Sequence, residues 1–357
     1  MKPRFFGLLF ILFSTLVRTW ADGTIGVCNQ AELETAMAAG GQINFSCDGI
    51  ITLTQSLMVA KSAILDANGY AVTISGGGSV RLFVVHSNVT FSLVGLNLIN
   101  GRQTGTNGVD NQPGGSATGG GILNLGGILN LSQCVLSNHY VLGGDGGRPN
   151  VGGGAAYGGA IRSVEGSVQL SNCVVVANRA KGGQAGPDVG TNEFAFGPAG
   201  FAHGGAISMA GGSLLISQSV LAANRADGGE PRGAPFGISR AGAGGNAEGG
   251  AVHSTGAEVV LSHTVFKANS ANGSRSVWSG PGAGTGRGGA LWSDSGTVAA
   301  VDQCTFLHNQ AVAGSSSRFA YGGDGLGGAI FNQGMLLLSD SSFFENFAKG
   351  GTSLIPG

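Results

Sequence analysis

Residues 158–178 read Gly158-Gly159-Ala160-Ile161-Arg162-Ser163-Val164-Glu165-Gly166-Ser167-Val168-Gln169-Leu170-Ser171-Asn172-Cys173-Val174-Val175-Val176-Ala177-Asn178. The opening recurs as Gly119-Gly120-Gly121-Ile122, Gly204-Gly205-Ala206-Ile207, Gly249-Gly250-Ala251-Val252, Gly288-Gly289-Ala290-Leu291 and Gly327-Gly328-Ala329-Ile330. Each copy closes on an Asn: Asn138, Asn178, Asn224, Asn269, Asn309 and Asn346. The step from first Gly to closing Asn is 20 residues in three copies and 19 or 21 in the others, whereas the gap onward from Asn178 runs 26, 25, 19, 18. A fixed segment joined by elastic insertions is the mark of a solenoid whose insertions leave one edge of the stack. Inside the fixed segment apolar residues alternate, as in Val168/Leu170 and Cys173/Val175, or Leu336/Leu338 and Ser341/Phe343 in the last copy. That period of two, broken by glycine, predicts three short strands per copy. A helix would need spacings of three and four, and interior glycines would destabilise it by about 1 kcal/mol each. Each copy is then one turn of a parallel β-coil, rising by the interstrand spacing of about 4.8 Å.

Stacking in register puts Asn178, Asn224, Asn269, Asn309 and Asn346 one above the next. An amide both donates and accepts, so the column predicts a hydrogen-bonded structural ladder. On these residues the chain resembles the right-handed parallel β-helix proteins of the pectate-lyase-like class. More narrowly it is similar to the repeats of chlamydial polymorphic outer-membrane proteins. Their GGA(I/L/V) and FxxN motifs stand here as Gly249–Val252, Phe266-Lys267-Ala268-Asn269, Phe306-Leu307-His308-Asn309 and Phe343-Phe344-Glu345-Asn346. Three copies put Val175, Leu221 and Leu136 in place of the Phe, and Asn138 comes one residue early. The resemblance implies an all-β, right-handed, single-stranded parallel β-helix. It implies no particular activity, because function resides in sites grafted on a fold.

Residues 1–21 read as a secretory signal peptide, with Lys2 and Arg4 before the apolar run Phe5 to Val17 and a small-residue site at Ala21. That run is too short to span a bilayer, and no later stretch is long and apolar enough. Residues 22–48 read as an N-terminal cap. Asn29 is the N-cap of a helix that Glu32 supports as capping-box partner and Gly40 stops, and a Cys28–Cys47 disulfide pins it over the open end of the coil. Residues 49–118 carry strand-like pairs without the motif and read as plain coils; Asp66 there bonds its own turn. Residues 119–357 hold the six repeats with glycine-rich edge loops. Beyond Asn346 the chain enters a loop that elsewhere leads to another coil, and the autotransporter passengers it resembles continue into a barrel. A truncated sequence, or an end that docks, is the expectation.

Only 10% of residues are charged and the net charge is −1, which excludes a basic surface for nucleic acid. Enzymes of the pectate-lyase-like class use clustered carboxylates, often with Ca²⁺, or a Lys or Arg base. Here Asp145, Asp188, Asp227, Glu230 and Asp324 fall at unmatched loop offsets and read as turn residues rather than a calcium cage. No metal site and no cofactor is expected, with Ca²⁺ as the alternative. Cys134, Cys173 and Cys304 share one inward slot with Ser219, Thr264 and Ser341 and read as small core filler. The residue before each double Gly forms a column, Tyr157, His203, Glu248 and Arg287, that reads either as a surface ladder with a Glu248–Arg287 ion pair or as acid–base machinery for a uronic acid. The residue after each motif adds Arg162, Ser208, His253, Trp292 and Phe331, of which His253, Trp292 and Phe331 are candidate exposed aromatics for stacking on sugar rings. The leading reading is an exported adhesin or surface-structural scaffold for an extracellular glycan or surface protein, secreted or at the cell surface, in the periplasm or outer membrane if the cell is Gram-negative. The competing reading is a polysaccharide lyase or glycoside hydrolase acting on uronic-acid polymers through that column.

Overall fold

The computed structural model describes residues 23–149, 151–187, 197–232, 242–276, 282–316 and 320–353. The expected leader, residues 1–21, and Asp188 lie outside them. The chain folds as a parallel β-helix: the described residues form one helix, and strands stacked into five sheets in which every pairing among them is parallel. Along one coil the chain visits the sheets in a fixed order, here numbered I to V from the double Gly onward. The copy that begins at Gly158 supplies Ile161–Val164 to sheet I, Ser167–Ser171 to sheet II, Val174–Val176 to sheet III, Arg179–Lys181 to sheet IV and, before the next double Gly, Ala202–His203 to sheet V. The fixed segment of the sequence is thus sheets I to III. Sheets IV and V lie in the insertions read from the sequence as edge loops.

Sheets I to III enclose the main core, and register is strict: Val168 sits under Leu214 and over Leu129, and Val175 between Leu136 and Leu221. Because equivalent residues repeat every coil, rings stack face to face, Phe266 on Phe306 at 4.9 Å and Phe306 on Phe343 at 4.8 Å. Truncating such a ring to Ala costs about 3–5 kcal/mol. The Asn ladder forms as expected. Asn178 Nδ2 donates to Asn224 Oδ1 at 3.0 Å, Asn224 to Asn269 at 3.0 Å, Asn269 to Asn309 at 2.9 Å and Asn309 to Asn346 at 2.9 Å. Each Oδ1 also accepts the backbone N–H of the preceding rung, as Asn269 Oδ1 does from Asn224. Asn138 is not a rung. It is exposed at φ 56°, in the turn position held by Ala177 and Ala223 in the next copies, and His139 takes the slot, accepting from Gly101 N–H through Nδ1 and donating its own N–H to Asn178 Oδ1.

Between sheets IV and V a second, thinner core holds little but alanine: Ala156, Ala180, Ala202, Ala226, Ala247 and Ala271 among its members. Beyond it the outgoing and returning limbs of the insertions interlock through glycine. Gly144 N–H donates to Gly115 O, Gly154 to Gly144, Gly183 to Gly154, Gly200 to Gly183, Gly229 to Gly200 and Gly245 to Gly229, each at 2.8–3.1 Å. The zigzag climbs on through Ser274, Gly284, Gly314 and Gly323. Glycine is required by closeness here: a Cβ on Gly200 would meet Gly154 O at 1.9 Å.

At the N-terminal end α1, Gln30–Ala39, buries Leu33 and Met37 against the first coil. Asn29 Oδ1 accepts the Glu32 N–H, while the Glu32 carboxylate reaches past the N-cap to the N–H groups of Gly26 and Val27, so only half of the expected capping box closes. The Cys28–Cys47 disulfide is present, and Cys134, Cys173 and Cys304 are buried free thiols. Where the cysteine slot holds a hydroxyl, that oxygen takes a backbone N–H of the coil before it, Ser219 from Cys173 and Ser341 from Cys304. Asp66 accepts from Asn68 N–H within its own turn. No helix among the described residues is long and apolar enough to cross a membrane.

Candidate functional site

The double glycine is a corner. Gly204 sits at φ 69°, and a Cβ on Gly205 would meet Gly250 O at 2.1 Å, so coils nest there backbone to backbone. The corner swings the outward side chains of sheet V toward those of sheet I. Two columns that the sequence shows as separate therefore face one another. Sheet V supplies Thr118, Tyr157, His203, Glu248 and Arg287 in successive strands, and sheet I supplies Leu123, Arg162, Ser208, His253, Trp292 and Phe331.

The result is a continuous wall of rings and charges. The Arg162 guanidinium lies 4.7 Å over the Tyr157 ring, Tyr157 stacks on His203 at 4.9 Å, His203 meets His253 at 4.5 Å and His253 stacks on Trp292 at 4.4 Å. Phe201 packs edge-on against His203 at 6.2 Å, and Arg287 stands 5.8 Å from the Phe331 ring centre. Glu248 is at the centre: Oε2 is 3.2 Å from His203 Nδ1 and 3.6 Å from His253 Nε2, and Oε1 is 3.2 Å from Arg287 Nη1. The expected Glu248–Arg287 pair exists, but not on the surface, since Glu248 is 8% exposed. Nor do His253 and Trp292 offer open faces to a sugar; they are 3% and 7% exposed, because the opposing column covers them. Phe331 stays partly open.

Burial pushes the Glu248 carboxyl up, but the His203 and His253 rings that face it outweigh burial and hold the group well below the ordinary carboxylate range. Glu248 is therefore ionised at any physiological pH. Burial, with the neighbouring His203, lowers His253 to about 4, against a smaller opposing pull from Glu248, so this imidazole is neutral at pH 7. His253 Nδ1 lies 3.4 Å from Ser208 Oγ, which accepts from Arg162 Nη1 at 2.7 Å. Among the described residues His203, Glu248 and His253 are the one group of three such side chains able to share a metal ion. Two nitrogens and one carboxylate suit a borderline transition ion rather than calcium, which takes six to eight oxygens.

The loop acids do not gather. Asp145 pairs with Arg232 at 3.1 Å, Asp227 with Arg179 and Arg225, and Glu230 with Arg275 at 3.6 Å. Asp227 belongs to a row that the sequence reading passed over. On sheet IV Arg102, Tyr140, Arg179 and Arg225 stack in register, with Tyr140 between Arg102 at 5.3 Å and Arg179 at 5.7 Å. An open hollow of about 340 Å³ adjoins it, lined by Gly77, Gly78, Asn100, Gly101, Arg102, Asn138 and Tyr140. The signal was available for three of them, since Tyr140, Arg179 and Arg225 directly follow the ladder positions His139, Asn178 and Asn224.

No protein-family model and no curated protein sequence matches the chain. Solved structures it is similar to include the L. reuteri 53608 SRRP, at 10% identity over 90% of this chain and 99% of that one, TM-score 0.21. Others are the Azotobacter vinelandii mannuronan C-5 epimerase AlgE4 A-module, at 15% identity over 94% and 97%, TM-score 0.21, and the catalytic unit of a GH87 alpha-1,3-glucanase from Streptomyces thermodiastaticus strain HF3-3, at 12% identity over 88% and 66%, TM-score 0.17. Likeness of this degree carries no argument about activity.

Proposed function

We propose that the chain is exported and serves as a surface scaffold of the adhesin kind, whose long flat faces bind a neutral glycan or a protein surface. One observation carries this reading. The outward side of sheet III presents two in-register columns, Ile50–Thr73–Asn97–Val135–Val174–Val220–Val265–Thr305–Ser342 and Thr52–Ser75–Ile99–Ser137–Val176–Ala222–Lys267–Leu307–Phe344, with Lys267 the one charge in eighteen positions. Nine strands at about 4.8 Å make a face roughly 40 Å long. Ile50, Val174 and Val220 are 64%, 38% and 37% exposed on it. A face of that extent with ten apolar positions and one charge marks an interaction site.

The enzyme reading has less support. The two facing columns of the candidate site hold a single carboxylate, Glu248, whereas glycoside hydrolysis in its usual form uses two. The test is a glycan array and a cell-binding assay with the wild type and a Val174→Lys/Val220→Lys variant, beside an assay for unsaturated or reducing ends on uronic-acid polymers. Binding lost in the variant at unchanged melting temperature is expected. Turnover of a polymer that His203→Ala abolishes would overturn the proposal.

A further inference from the structure

His203 and Glu248 stand one above the other on adjacent strands of sheet V, and His253 faces both from sheet I. One ligand atom from each lies within 4.8 Å of the other two. The two separations to Glu248 Oε2, 3.2 Å from His203 Nδ1 and 3.6 Å from His253 Nε2, bracket a tetrahedral edge. With bonds of about 2.0–2.2 Å to nitrogen and oxygen, neighbouring ligands of a tetrahedral zinc ion lie roughly 3.4 Å apart. Hydrogen bonding accounts for the cluster poorly. A 3.6 Å contact is beyond hydrogen-bond length, and His203 Nδ1, buried and near the carboxylate, is out of line for a bond to it and has no other partner. A buried polar atom in that state needs a reason.

The surroundings of the three residues are those of a ligand set. Arg287 occupies Oε1, which leaves Oε2 as the free carboxylate oxygen. Ser208 Oγ stands by His253 Nδ1; when that nitrogen donates to Ser208, Nε2 keeps its lone pair for the cluster. Partners of this kind fix the tautomer of most metal-bound histidines. The Arg162 and Arg287 guanidiniums oppose a dication and moderate its affinity.

We infer that His203, Glu248 and His253 form a mononuclear site for a divalent transition ion of the zinc class, bound by His203 Nδ1, Glu248 Oε2 and His253 Nε2 with water in the fourth position. His203 and Glu248 pair on successive strands of sheet V, and His253 follows Glu248 across the Gly249-Gly250 corner, so the bound ion ties successive turns of the stack at that corner. The site is independent of the scaffold reading above: either can fail alone.

The experiment strips the purified protein with a chelator, then titrates it with Zn²⁺ by calorimetry and with Co²⁺ by visible absorption. One ion per chain and an intense four-coordinate cobalt spectrum are expected. Ser208→Ala should weaken binding about 10–100-fold, and Glu248→Gln or His203→Gln by more than that. His263→Ala, an exposed histidine at a different bend, should bind as the wild type does. Circular dichroism of the metal-free variants checks folding, and His203→Gln, altered at the rim, keeps the test alive if His253 variants do not fold. Zinc affinity unchanged in His203→Gln and Glu248→Gln, or a weak six-coordinate cobalt spectrum, overturns the site.

Discussion

Replacing Asn269 by Ala tests the ladder at its middle. The Asn269 Oδ1 accepts the Asn224 backbone N–H and the Asn224 Nδ2, both at 3.0 Å, and its Nδ2 donates to Leu221 O and Asn309 Oδ1, both at 2.9 Å. Asn224, Asn269 and Asn309 are all 0% exposed, so no water replaces what is lost. Two Asn224 donors are left unpaired. At ~1–3 kcal/mol for each buried orphan, the variant should lose about 2–6 kcal/mol. Asn346→Ala removes a matching pair of bonds to Asn309, each 2.9 Å, but at a partly exposed rung. Water there compensates, and the loss should be about 1 kcal/mol. Urea unfolding followed by far-UV circular dichroism reads both, through the midpoint and the slope. Hydrogen exchange of the Asn224 amide locates the damage within the stack, because a solenoid opens by neighbouring repeats. The reasoning is refuted if Asn269→Ala loses less than Asn346→Ala, or if the Asn224 amide stays as protected as in the wild type.

Two further perturbations separate closeness from conformation and charge from shape. Gly205→Ala should prevent folding of the corner, since the new Cβ meets Gly250 O at 2.1 Å, whereas Gly256→Ala, at φ +60° with open space around it, should cost only about 1–2 kcal/mol in a thermal melt. His139 is fully buried, and burial lowers it from 6.5 to about 4. The unfolded chain therefore binds a proton that the folded chain refuses between those values, so this contribution is intact above pH 6.5 and is lost as the pH falls toward 4, by about 3 kcal/mol in all. His139→Asn should continue the ladder and flatten that part of the stability-versus-pH curve; an unchanged curve would show that His139 is not its source.

The parts legible in the sequence are those where geometry writes itself into residue type at short range. Val168, Leu170, Cys173 and Val175 alternate because each second side chain enters the core, and Asn178 to Asn346 repeat because one rung must match the next. Sheets IV and V escaped because their strands are two or three residues long and bury single alanines such as Ala180 and Ala202, too few positions for an alternation to show. The slip at Asn138 arose from an Asn that suits the left-handed turn standing beside the true slot, which His139 fills with a ring nitrogen. The site was half legible. Each column could be read, but their meeting depends on how sharply Gly204 and Gly205 bend the chain, and glycine permits many angles while naming none.

The glycine zigzag of the insertions sets rules for how such a molecule changes. Every limb is buttoned to the limb below and the limb above, so a residue added within it would throw all later buttons out of step. Length differs from copy to copy only between the fastened limbs, as the gaps of 26, 25, 19 and 18 residues onward from Asn178 show. Growth by whole turns and change between fastened limbs are the two routes open to it, and a library that leaves the fastened glycines untouched should leave the stack intact.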